Sequence, residues 1–162
     1  MKKLIAIILC AVAVLSLAAC SQKNEPAEEE PSAYMPNPFV DYDTLEAAEE
    51  AAKFELEAPE SVTGFPDKMI QVMSGKMIQI MFLNGDDRLI IRKQAGDEDI
   101  SGDYNEYSQV VSTDIDGRTV TLEGDNDLVH TATWTADGYS YAVMADTPIK
   151  EADMAALISQ IK

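Results

Sequence analysis

The chain has 162 residues, enough for one ordinary domain with short extras. Hydrophobic residues make up 46% of it, which suffices for a packed core, while 29 acidic against 12 basic side chains give a formal charge of −17. That sign excludes a nucleic-acid binder, which needs a basic face for phosphate, and excludes adsorption to anionic lipid headgroups.

The N-terminus reads as an export signal, Met1 to Ala19. Lys2 and Lys3 give a short positive start, and Leu4 to Leu15 is an apolar run too short to span a bilayer. It ends in Leu17-Ala18-Ala19-Cys20, a branched residue, two small residues and a cysteine. This is the lipobox pattern: the small residues fit a peptidase cleft, cleavage falls between Ala19 and Cys20, and the Cys20 thiol takes a diacylglyceryl group. Further acylation gives the stable membrane anchoring that one chain cannot supply. Without Lys2 and Lys3 the mature chain keeps 29 acidic and 10 basic side chains, or −19. Its surface is strongly solvated and self-repelling, with scope for steering a cationic partner. Cys10 leaves with the signal and Cys20 is modified, so the mature domain is expected to have neither a disulfide nor thiolate chemistry.

Residues 20–38 read as the lipidated cysteine plus a tether. Ser21 to Pro38 holds four prolines and four glutamates with few apolar residues, so it cannot bury enough surface to fold. Proline and like charge extend it toward about 3.1 Å per residue.

Residues 39–162 read as a single α+β domain. Asp43-Thr44-Leu45-Glu46 opens a helix with Asp43 as cap, and Leu45, Ala48, Ala52 and Leu56 form its apolar stripe. Phe54 falls on the other side, and Pro59 is expected to end the element. Strands follow at Met69–Met73, Met77–Leu83 and Leu89–Lys93. A two-residue Gly85-Asp86 turn pairs Phe82 with Leu89 and Ile80 with Ile91. Gln94 to Tyr107 is polar and reads as a long loop. Gln109–Ile115 and Thr119–Glu123 flank Asp116-Gly117. Leu128–Thr135 and Tyr139–Met144 flank Asp137-Gly138, which pairs Trp134 with Tyr141 and Ala132 with Val143. The opposite face there carries Thr131, Thr133, Thr135, Ser140 and Ala142, the pattern of an antiparallel sheet wet on one side. Pro148, capped by Thr147, is expected to open a closing helix with Met154, Leu157, Ile158 and Ile161 on one face. The sum is an antiparallel sheet of about seven strands, a meander of hairpins, with an N-terminal and a C-terminal helix on its apolar face.

Chemistry-bearing residues are few. His130 is the only histidine, and strand alternation places it beside Leu128, Ala132 and Trp134. No spacing pairs it with Ser74, Ser101 or another nucleophile, so a structural or rim role is expected. One histidine and no free thiol make a zinc site an unsupported reading. Asp97 to Asp103 offers carboxylates and carbonyls of the kind that hold calcium, but lacks the ligand pattern of an EF-hand, and reads as a solvated loop. Asp125-Asn126-Asp127 reads as turn chemistry. Met69, Met73, Met77 and Met81 recur every four residues, and thioethers suit Cu(I). A two-residue Ser74-Gly75 turn would set Met69 against Ile80 and Met77 against Val72, dividing the four between two faces. Core packing is therefore the expectation. No carboxylate pair is nominated by spacing, the glycines are scattered singly among turns, and no cofactor or metal follows from any of these residues.

Ala132-Thr133-Trp134-Thr135-Ala136-Asp137-Gly138-Tyr139-Ser140-Tyr141, with an amphipathic helix from about Lys150, resembles a domain of unknown function in small lipoproteins of Gram-positive bacteria. It is similar to extracellular portions of membrane-anchored anti-sigma-like proteins, and Ile100-Ser101-Gly102-Asp103-Tyr104-Asn105 is also typical of such lipoproteins. The resemblance spans roughly Phe39 to the C-terminus and transfers no catalytic residue. It implies an envelope location and a sensing or binding role.

The expectation is thus a non-enzymatic lipoprotein on the extracytoplasmic face of the cell membrane, anchored through Cys20. Its domain binds an unknown extracytoplasmic protein or small ligand. A carrier of an apolar ligand would need a cavity. An envelope hydrolase using carboxylates or His130 would need hydrogen-bonded partners around that histidine. A sensor working through protein contacts would show an apolar surface patch, with Phe54 as a candidate member.

Overall fold

The structure, a computed structural model, describes residues 37–162. The signal, Ala19, Cys20 and the tether as far as residue 36 lie outside the described residues.

Eight strands form one antiparallel sheet. They are β1 (Phe39–Tyr42), β2 (Asp67–Met73), β3 (Met77–Asn84), β4 (Asp87–Ala95), β5 (Gln109–Ile115), β6 (Arg118–Asp125), β7 (Leu128–Ala136) and β8 (Tyr139–Lys150). Two helices, α1 (Leu45–Ala52) and α2 (Glu151–Ile158), complete the α+β fold. The sheet order is β1-β2-β3-β4-β8-β7-β6-β5. Two four-stranded meanders therefore lie side by side, joined where β4 pairs antiparallel with β8.

Short turns set the register. Gly85-Asp86 is a two-residue turn, and Phe82 faces Leu89 and Ile80 faces Ile91 as the sequence predicts. Asp137-Gly138, both at positive φ, matches the right-handed twist of its flanking strands and pairs Trp134 with Tyr141 and Ala132 with Val143. The Trp134 and Tyr141 rings stack at 5.0 Å with an interplanar angle of 3°.

Alternation gives the sheet two unlike faces, apart from the register shifts at Gly124 and between Val129 and Thr131. On the first, a single row runs Ile70–Ile80–Ile91–Val143–Ala132–Leu122 across six strands. Helix α1 packs over β2 and β3, and α2 over β7 and β8. Ile78, Ile91, Val143, Met154 and Ile158 are fully buried between them. Burial of one such side chain stabilises by roughly 2 kcal/mol. Lys93 shares this face and is 7% exposed. Its ammonium lies 4.7 Å from the Tyr139 ring centroid and 5.2 Å from that of Tyr141. It donates to the Glu55 carbonyl at 2.6 Å and to the Lys162 backbone oxygen at 3.2 Å. Burial pushes its pKa down, against nearby carboxylates that raise it. Arg118 plays a matching part, donating to the Ile158 and Ile161 carbonyls and so closing the C-terminal end of α2.

The structure corrects several local expectations. β1 is an eighth strand, and its four residues pair with β2. Thr44, not Asp43, caps α1 by accepting from the Ala47 amide. The helix ends at Ala52, well before Pro59, because Lys53 turns left-handed at φ 66°. The β2–β3 turn holds three residues, with Lys76 donating its amide to Met73. The register therefore moves by one, Met69 pairs with Met81 and Met73 with Met77, and all four methionines share the second face. Pro148 lies within β8, and α2 opens at Glu151 with no side-chain cap. Thr147 instead donates its amide to Asp87.

A tight backbone approach marks the β6–β7 hairpin. Gly124 sits where the register of β6 shifts, and any Cβ there would collide with the Leu128 carbonyl. Gly124→Ala is expected to destabilise the fold by roughly 2–3 kcal/mol, read as a lower urea midpoint. A midpoint equal to the wild type's would refute the close packing of this hairpin.

Candidate functional site

The second sheet face bears the candidate site. The connection of residues 96–108 leaves β4 near the middle of the sheet and enters β5 at its far edge, four strand spacings or about 19 Å away. Helices occupy the first face, so this segment crosses the second. It is fastened at successive strands. Arg92 of β4 donates to the Ile100 and Ser101 carbonyls at 3.0 and 2.6 Å. Thr131 of β7 donates to Asp103 at 2.6 Å. Asp125 of β6 accepts from the amide and hydroxyl of Ser108. Ile100 is buried with Met77 and Ala142, against Phe39, Met73 and Met144.

Arg92 is set by the strands as well as the loop. Its Nε donates to Gln79 at 2.7 Å, Gln79 donates to Gln71 at 3.0 Å, and Gln71 donates to Asp41 at 2.7 Å. This polar ladder crosses β4, β3, β2 and β1 on one face, with both glutamines buried. Gly102 takes a left-handed φ of 64°, and a Cβ there would stand 3.2 Å from Arg92 Nη1. Its missing side chain lets the loop lie directly over the guanidinium.

Asp103 is the loop's second fixed point. Besides Thr131 it accepts from the Tyr107 hydroxyl at 2.6 Å and from the amide and side chain of Asn105. Burial alone would raise its pKa, but these donors outweigh that and bring it to about 2. Glu123, on the same sheet face, is pushed up by burial and by the charges of Asp99 and Asp103.

Loop and sheet enclose an open cleft of about 650 Å³. Arg92, Asp103, Tyr107, His130, Thr131 and Met144 are among its walls. The Tyr107 and His130 rings stack at 5.2 Å with an interplanar angle of 23°. Arg88, also at the cleft, is paired with Asp146 at 2.7 Å.

His130 is therefore not beside Ala132 and Trp134. A bulge between Val129 and Thr131 interrupts the alternation of β7. Val129 and Ala132 both enter the main core, which leaves His130 and Thr131 together on the cleft side. The hydrogen-bond contact of His130 is Nδ1 with the Ala145 carbonyl at 3.3 Å. Ser101 reaches the same cleft, but its hydroxyl accepts from the Asp103 amide. Ser74 sits in the β2–β3 turn, far along the chain from this cleft wall. No hydroxyl or carboxylate stands within hydrogen-bond reach of the His130 ring among the described residues.

The acidic loop of Asp97 to Asp103 is partly inward. Ile100 and Ser101 are buried, and Asp99 accepts from the Ser101 amide. No cluster of three or more His, Cys, Asp or Glu suited to a metal ion occurs among the described residues. Asn126 and Asp127 form the β6–β7 turn at positive φ, as turn chemistry predicts. Phe54 does not join an exposed patch; it packs on Tyr139 at 5.3 Å. Among the described residues, Val40, Met69, Tyr104, Val110 and Val111 are the exposed large apolar ones.

Arg92, Asp103 and Tyr107 escape a reading by motif, because their contacts join the 96–108 connection to itself and to Arg92, Gln79 and Thr131 on three separate strands. The available signal is slight: Arg92 follows the apolar pair Ile90-Ile91 and stands shortly before a long polar loop.

No protein-family model matches the chain, and no curated protein or solved structure matches it.

Asp103 has a depressed pKa in the fold, so its contribution to loop order is present above the ordinary carboxylate range. It is lost as pH falls toward about 2. Asp103→Asn is expected to cost about 1–2 kcal/mol and to remove this acid-dependent step, followed through the Tyr107 and His130 resonances. An acid titration identical in wild type and variant would show that Asp103 does not hold the loop.

Proposed function

We propose that the chain is a membrane-anchored extracytoplasmic lipoprotein whose folded region is a non-enzymatic binding or sensing domain, with the cleft beneath residues 96–108 as its ligand surface. The address rests on Leu17-Ala18-Ala19-Cys20 behind an apolar leader, and on the proline- and glutamate-rich tether that follows. The resemblance of the Trp134–Tyr141 region to Gram-positive lipoprotein domains agrees with it.

One observation carries the binding role. The cleft is a built surface, with Arg92, Asp103, Tyr107 and Thr131 held by hydrogen bonds around open space. Its volume falls in the range of small-ligand sites. The groups it presents are fixed recognition elements and not a nucleophile with its base. Thr131 and Tyr107 both give their protons to Asp103, and His130 faces a carbonyl and an aromatic ring. A hydrolase would need one of those hydroxyls activated by a competent base. The Asp103 carboxylate that accepts both protons is a weak one, its pKa held down to about 2 by its donors. A carrier of an apolar ligand would need an apolar space between sheet and helices, where Phe82, Ile78, Ile91 and Ile158 are packed and fully buried. The open cleft of about 700 Å³ beside α1 is lined by Asp43, Glu46, Glu57, Glu60 and Lys68 as well as by Leu56 and Ile80.

The anchor has a direct test. Wild-type protein is expected in the membrane fraction, released by detergent but not by salt. Cys20→Ala is expected to yield no processed protein in that fraction. Processed Cys20→Ala that still sediments with membranes would contradict lipid tethering.

A further inference from the structure

We propose that the cleft recognises a small zwitterion, a carboxylate and an ammonium on one compact body, which is the chemistry of free amino acids and short peptides. The inference rests on reading the cleft as the ligand surface, and goes on to name what fills it.

The carboxylate end is assigned to Arg92. A guanidinium has five N–H donors. Nε is committed to Gln79, and Nη1 to the Ile100 and Ser101 carbonyls. Nη2 has no hydrogen-bond partner among the described residues, and it is not sealed from solvent. All of Arg92's partners are neutral oxygens, and no carboxylate lies within 4.0 Å of it among the described residues. A half-buried cation without a counter-ion, in a chain of formal charge −17, is out of keeping with its surroundings. Arg88, its nearest like-charged neighbour at the cleft, already has Asp146. Because three bonds fix the Arg92 plane, little further entropy is lost when a ligand carboxylate meets the remaining N–H groups.

The ammonium end follows from the rest of the wall. Glu106 is exposed, lines the cleft and has no side-chain hydrogen bond among the described residues. Asp125 also lines it, using Oδ1 for Ser108 and leaving Oδ2 without a partner among the described residues. A simple anion such as phosphate would meet Arg92 but also these carboxylates and Asp103, which is held charged by its donors. A simple cation would leave Arg92 uncompensated. A molecule carrying both charges satisfies both sets. Ile90 and Met144 also line the cleft and offer apolar surface for a small side chain, as do the stacked Tyr107 and His130 rings. A cleft of about 650 Å³ has room for an amino acid or a peptide of a few residues.

The test is calorimetric titration of the full-length chain in detergent with leucine and with alanyl-leucine. Parallel titrations use the C-terminal amide and the N-acetyl form of the dipeptide. Saturable binding of leucine or alanyl-leucine is expected. Loss of either charge is expected to weaken binding by about tenfold or more. Arg92→Gln is expected to abolish binding and Glu106→Gln to weaken it. The amide and acetyl arms use wild-type protein, so the outcome does not depend on how well the Arg92 variant folds. Equal binding of dipeptide and amide overturns the proposal, as does no saturable binding up to about 10 mM.

A second readout separates the ligand class from the cleft itself. Amide resonances of Tyr107 and Thr131 are followed while a small-molecule extract of cell envelopes is added. Shifts there without any response to leucine or alanyl-leucine overturn the zwitterion and keep the cleft as the binding surface. No response to extract or probes overturns both.

Discussion

One connection constrains everything else. Residues 96–108 must carry the chain from β4 to β5 across β8, β7 and β6, and the helices already cover one side of those strands. The crossing therefore lies on the second face. A crossing segment leaves its backbone groups in need of partners, and the strands supply them. Arg92 takes two of its carbonyls, while Asp103 gathers Thr131, Tyr107 and Asn105. The cleft is the space that remains between a bridge pinned at these points and the sheet beneath it. Without the two-meander order there would be no bridge, and without the bridge no concavity.

The two faces divide the work. The first is apolar and closed by α1 and α2, and even its cations serve the packing: Lys93 bridges the Glu55 and Lys162 backbone oxygens, and Arg118 binds those of Ile158 and Ile161. Removing either would leave carbonyls without partners and aromatic rings without their cation, so these charges hold the helices in place. The second face keeps its polar residues in hydrogen-bonded series, from Asp41 through Gln71 and Gln79 to Arg92. That series links the first edge strand to the loop. The proposed binding role uses Nη2 of Arg92, the group of that residue without a partner among the described residues.

Much of this was legible in the sequence where local chemistry determines geometry. Two-residue turns at Gly85-Asp86 and Asp137-Gly138 leave one register, and the apolar pairs across them follow. Thr131, Thr133 and Ser140 stand on the side opposite Trp134 and Tyr141 as alternation predicts. Thr131 and Ser140 are nevertheless buried and not wet, because residues 96–108 cross that face and bond to them. Legibility fails where one residue is inserted. Lys76 lengthens the β2–β3 turn and gathers all four methionines onto one face, and the bulge at His130 and Thr131 turns the histidine out of the core. Alternation cannot foresee either, since each is decided by the partner strand. The strand β1 is too short to carry a pattern. The contacts of Arg92 and Asp103 join residues whose proximity depends on strand order, and strand order is not written in any local window.

The central claim is that the bridge of residues 96–108 is clamped to the sheet by Arg92 and is not a freely moving loop. Amide hydrogen exchange at Ser101, Asp103 and Asn105 measures this directly, because each of those amides donates within the bridge. In the wild type they should be protected. In Arg92→Met they should exchange faster by about tenfold or more, with Val120 and Ala132 in the core unchanged. Bridge amides that exchange freely in the wild type, or keep their protection in the variant, would contradict the account.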